Sequence, residues 1–201
     1  MLPVPLIFSS GVASGVNCYA AVLILGLLGR YGHVASIPAV LERPEVLVAA
    51  AILYAGQFIA GKIPIVDSAW DLIHTAIRPV VGGAIGVVMA HHAHVSHGAV
   101  VAAAALGGGS ALTSHLVKTG IGIGINASPE PVSNVIASLL EDLGVAALVV
   151  YAVHHPVQAA VFACALLALG VLLLAFLTAR IRRALQRRRA VRHASRAAHP
   201  A

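Results

Sequence analysis

Charge is scarce in this chain, and so are aromatic rings and cysteines. Only 10% of the 201 residues are charged, against about 25% in a typical soluble domain. A soluble protein with 59% hydrophobic residues would have little polar surface with which to cover itself. Aromatics make up 4%, so no stacking platform for bases accompanies the basic residues, which argues against nucleic acid as a partner. The two cysteines, Cys18 and Cys164, lie far apart in apolar segments. They make neither a disulfide framework nor a CxxC metal site, and both are expected as buried small side chains. Walker loop, GxSxG and HExxH are all missing. No cofactor is therefore expected, and no nucleophile has a convincing base partner. The N-terminus, MLPVPLIFSS, lacks the basic stretch of a cleavable signal, so the first apolar helix is expected to act as an uncleaved insertion signal.

What is present is six apolar stretches, at about 12–29, 46–63, 76–90, 98–117, 135–153 and 157–178. Most approach the ~20 residues needed to cross a hydrocarbon core. The third is short but can extend back through Asp67–Thr75. Gly107, Gly108 and Gly109 interrupt the fourth, which continues into Gly120, Gly122 and Gly124. Irregular backbone is tolerated at membrane depth only where protein or water satisfies it. The pattern predicts an all-α polytopic transmembrane bundle of about six segments, some broken or re-entrant, with the fourth the candidate for a break. The 19 glycines fit close helix contact.

Residues 180–201 carry eight arginines and no acid, whereas the rest of the chain carries five basic against seven acidic residues. The division is thus a membrane domain at 1–179 and a basic tail at 180–201. The positive-inside rule puts the tail in the cytoplasm. Ile181, Leu185 and Val191 form too thin an apolar stripe for more than a loose surface helix. Six crossings would place the N-terminus inside as well, with 30–45, the histidine loop 91–97 and His154-His155 outside. A first or fourth segment that only dips into the membrane would make the number of crossings odd. The expected location is the cell (inner) membrane, multi-pass. The expected partners are membrane lipids, with anionic headgroups at the arginines, and self-association is left open.

The stretch KIPIVDSAWDLIHTAIRPVVGG concentrates the chemistry. Asp67, Asp71, His74 and Arg78 fall on one helical face; Pro79 should kink or restart the helix. His115 and Lys118 form a second polar stripe. In NASPEPVSNVIASLLED, Ser128 or Ser133 is a candidate cap and proline a first-turn residue. Asn134, Ser138 and Glu141 or Asp142 then share a face, and the two acids must point to different neighbours. Polar stripes at membrane depth must face protein or water. Each stripe alone can be structural, since buried charges pair to fix helix packing. Together they suggest a polar interior site for a proton or cation, formed by Asp67, Asp71, His74, Arg78, His115, Lys118, Asn134, Glu141 and Asp142. Lys62, Arg78 and Lys118 could instead hold an anion. His91, His92, His94 and His97 are weak metal candidates, since their spacing matches no closed zinc site and suits a polar loop.

Four pieces, SGVNCYAAVLILGLLGR, KIPIVDSAWDLIHTAIRPVVGG, GGGSALTSHLVK and NASPEPVSNVIASLLED, resemble the family catalogued as domain of unknown function 4126, a group of small membrane proteins. They span residues 14–142. The resemblance implies an integral membrane protein and supplies no reaction. It also implies acids at Gln57 and Gly61 and an arginine at Gly122, three positions where this chain departs from the pattern. Loss of both members of an ion pair would let Gly61 and Gly122 pack closely. The leading functional expectation is a small transporter or channel-like protein for an ion or small solute. The alternatives are a structural or accessory membrane subunit, or a lipid-phosphate carrier or lipid-modifying protein.

Overall fold

The computed structural model describes the backbone of residues 1, 3–60, 64–125 and 131–198; the side chains of 64–71, 123–125, 131–134, 137, 184–185 and 187–198 fall outside the description. Six helices make up the described chain: α1 (Val4–Gly32), α2 (Pro44–Ala60), α3 (Pro64–His92), α4 (His97–Ile125), α5 (Pro131–His154) and α6 (Pro156–Ala198). No strand occurs among the described residues. Helices α2, α3, α5 and α6 begin on proline, whose missing N–H costs nothing in the first turn and whose φ is already helical. Helix α3 reaches back past Asp67, as its sequence allows. It runs on through Pro79 without restarting.

The expected break in the fourth segment is not there, because α4 is continuous through its three glycines. Those glycines instead admit neighbouring backbones. A Cβ on Gly82 would stand 2.6 Å from the Gly107 carbonyl oxygen, and one on Gly108 would stand 3.0 Å from that of Pro79. Gly86 lies equally close to Ala103, and Gly11 of α1 to Gly107 and Ser110. Small residues of α1, α3 and α4 thus form a three-helix seam, packed by contact between backbones.

The break lies in α1. Asn17 has extended dihedrals (φ −148°, ψ 98°) between two helical halves, residues 4–16 and 18–32. The first half runs parallel to α4: Ser114 Oγ donates to Val12 O at 2.7 Å, and Lys118 Nζ to Val16 O at 3.4 Å, four residues further along both helices. Since α3 and α4 pair antiparallel, with Pro79 by Gly108 and Gly86 by Ala103, the first half is antiparallel to α3. Yet His92, at the end of α3, bonds Ala35 O just beyond α1 at 2.9 Å. A straight α1 would hold those two residues roughly 45 Å apart at ~1.5 Å per residue. Helix α1 therefore folds back at Asn17, and both its ends lie beside the α3–α4 turn.

The core collects on this folded helix, which touches all five others. Ile7, Ala13, Cys18, Ala21 and Leu25 are fully buried, and so are Ser9, Ser10 and Ser14. Helix α6 is its opposite, exposing Leu169, Leu172, Phe176 and much else. Cys164 on α6 is exposed, contrary to expectation, because that helix presents nearly all of its circumference outward. The helix also continues into the basic tail as far as Ala198.

Candidate functional site

The fold-back creates two helix ends in the middle of the bundle. A break leaves the last carbonyls of the first half and the first N–H groups of the second without helical partners. Asn17 solves the second problem: its Oδ1 accepts from Ala20 N at 3.0 Å, the geometry of an N-cap. Two cations solve the first. Arg78 Nη1 donates to Gly15 O at 3.1 Å and Lys118 Nζ reaches Val16 O. Positive groups at a helix C-terminus also complement its dipole.

Each cation has a further neighbour. Lys118 forms an ion pair of 2.8 Å with Glu141. The Arg78 guanidinium, 1% exposed, lies 2.7 Å from His115 Nδ1. Arginine can only donate, so that nitrogen must accept. The proton of the neutral His115 ring then sits on Nε2 and is directed at Thr75 Oγ1, 2.9 Å away. Ser14 Oγ completes the joint by donating to Arg78 O at 3.3 Å. Nearby, His74 Nε2 meets the Tyr19 hydroxyl at 3.1 Å with the rings edge to face.

Asp142 occupies the other side of the break, accepting from Asn17 Nδ2 at 2.9 Å and lying beside the Tyr54 hydroxyl. The two acids do diverge, Glu141 towards α4 and Asp142 towards α1.

The structure therefore gathers His74, Arg78, His115, Lys118, Glu141 and Asp142 around one joint. Lys62 lies outside the described residues, as do the side chains of Asp67, Asp71 and Asn134, and Ser128 and Gly61. Among the described residues, carbonyls and an imidazole meet Arg78 and Lys118, and a carboxylate pairs with Lys118. The four loop histidines do not gather either: no three His, Cys, Asp or Glu side chains form a ligand set among the described residues. His91 and His92 end α3, His94 turns the chain at φ 50°, and His97 opens α4. His154 ends α5 and Pro156 starts α6. Gly122 meets no described atom within 4 Å of a notional Cβ, and Gly61, its expected neighbour, lies outside the described residues.

Asn17, Tyr19, Tyr54 and Thr75 are the members that sequence reading missed. The available signal was Asn17 itself, a lone amide two residues after Gly15 inside an apolar run.

A hollow of about 370 Å³ lies over Tyr19 and Val22 of α1, between α2 and Val81 of α3. Its walls are apolar except for Glu45, and neither Arg78 nor Lys118 lines it.

Apolar helices wrapped around charged groups at a helix break define a membrane-type helical protein. Helices α1, α3, α4 and α6 contain windows apolar and long enough to cross a membrane, and α2 is a shorter apolar helix. Residues 4–175 match the family described as domain of unknown function (DUF4126), and the chain belongs to that family. No curated protein and no solved structure matches it.

Proposed function

We propose that the protein is a small transporter or channel-like membrane protein, in which the broken α1 carries the site for an ion or small solute. One observation carries the reading: helix ends and four charged side chains meet at Asn17, inside the bundle. Discontinuous helices place dipole ends and free backbone groups at membrane depth, where transporters bind their cargo. Each charge there costs ~2.5–3.5 kcal/mol on insertion scales.

In this reading α2 to α6 cross the cell membrane and α1 dips in and returns, giving five crossings. The arginine-rich end of α6 then rests on anionic headgroups of the cytoplasmic face, with the N-terminus outside. This moves the N-terminus relative to a six-crossing arrangement and leaves every other loop on its side. An impermeant maleimide added to intact cells should label Val4→Cys and spare a cysteine placed beyond Arg183.

The functional test is reconstitution into liposomes with a panel of ions and a pH-sensitive dye. Protein-dependent flux, reduced at least tenfold in Lys118→Met, is the expected result. A second reading, a structural or accessory subunit, draws support from the partners held by Lys118, Glu141 and Arg78. Absence of flux from correctly folded protein across the whole panel would favour it.

A further inference from the structure

We infer that Asp142 is a proton-binding site whose ionisation holds the α1 joint closed; the inference rests on the transport reading only for its use. Three observations converge on Asp142. Among the described residues it has no cationic partner within ion-pair distance, whereas its neighbour Glu141 is paired with Lys118. It is only part-buried within the bundle. It also holds the residue that breaks α1, through Asn17 Nδ2.

The other candidates have fixed tasks. Glu141 is neutralised by Lys118. His115 is held neutral by Arg78 at 2.7 Å, because a proton on Nδ1 would set two cations in contact. Helix α5, which carries Asp142, packs chiefly against α1 and α6. The charged and titratable groups near the joint are Cys18 and Tyr19 on α1, Tyr54 on α2, His74 and Arg78 on α3, and His115 and Lys118 on α4, with Glu141 beside it, while α6 carries Cys164 and, from Arg180 onward, its arginines; the side chains of Asp67 and Asp71 lie outside the description.

The donors around Asp142 also say which ion it takes. A metal cation needs a shell of oxygens. Here the Asn17 oxygen is spent on Ala20 N, so the amide turns its N–H₂ towards the carboxylate. Turning it over would lose the cap. The surroundings thus favour a carboxylate in place and do not complete a metal cage. Protonation puts one proton on a carboxylate oxygen and removes one negative charge. The attraction of Asp142 for the start of the second half-helix then falls away, as does the charge assistance to the Asn17 bond. The joint that this bond closes is freed to move, which is the step a proton-driven carrier requires.

The test reads protonation and the joint directly, without transport. Infrared difference spectra of the purified protein between about pH 3 and 9, a range bracketing ordinary carboxyl values, should contain a protonated-carboxyl band that disappears in Asp142→Asn and persists in Glu141→Gln. Buried Cys18, next to Asn17, reports on the joint once exposed Cys164 is replaced by Ala. At fixed pH, Asp142→Asn should speed maleimide labelling of Cys18 severalfold. Spectra indifferent to Asp142→Asn, or a band lost in Glu141→Gln instead, would overturn the proton site. Unchanged Cys18 labelling in a variant of native thermal stability would overturn its hold on α1. A titrating Asp142 in a protein that transports nothing would retire the transport reading and leave this one standing.

Discussion

Helices α1 and α6 are both long and apolar, yet they have opposite fates. The most apolar window of α6 has mean hydropathy 2.9 and is 6% buried, whereas that of α1 has 1.9 and is 61% buried. The greasier helix lies outside and the more polar one is the core. This inverts the soluble pattern and follows from the solvent. Lipid is as apolar as leucine, so burial of leucine gains nothing there, and association is driven by close packing and polar contacts. Serines, glycines and Asn17 on α1 supply both.

The comparison can be broken first at the seam. Leucine at Gly82 would drive its Cβ into the Gly107 carbonyl and Ala111. Overpacking costs ~1–3 kcal/mol where side chains can yield; here the obstacle is backbone, and loss of monodisperse protein on size exclusion is the expected outcome. Next comes Arg78→Met, which strands Gly15 O and His115 Nδ1. Removing one partner from such a buried network costs ~3–5 kcal/mol, seen as a large fall in melting temperature in detergent. Asn17→Ala should cost less, ~0.5–2 kcal/mol for the lost cap, and Asn17→Ser should recover part of it. Smallest of all is Leu172→Ala on the exposed face of α6, expected within ~0.5 kcal/mol of the parent.

Much of this was legible before any coordinates. Apolar runs of membrane length gave the six helices, and helical spacing put His74 with Arg78 and His115 with Lys118. The divergence of Glu141 and Asp142 followed from their being adjacent on one helix. Where the reading fell short, the reasons are physical. Three consecutive glycines look like a broken helix when only backbone freedom is counted; in α4 they make room for α3 instead. The real break shows as one amide, because Asn17 can cap a half-helix from within an unbroken apolar run. Its partner Asp142 lies 125 residues away, beyond the reach of any local pattern. The continuation of α6 through its arginines was likewise invisible to a reading that looked for an apolar stripe.

The central claim is the fold-back of α1, and one distance tests it. Spin labels at Val4→Cys and Tyr31→Cys, with Cys18 and Cys164 replaced, can be measured by double electron–electron resonance in detergent. An unbroken helix between those positions would hold them roughly 40 Å apart at ~1.5 Å per residue. The folded α1 brings both ends beside the α3–α4 turn, and the account predicts a distribution centred below roughly 30 Å, since each half-helix is only ~20 Å long. A single narrow peak near the straight-helix value would contradict it.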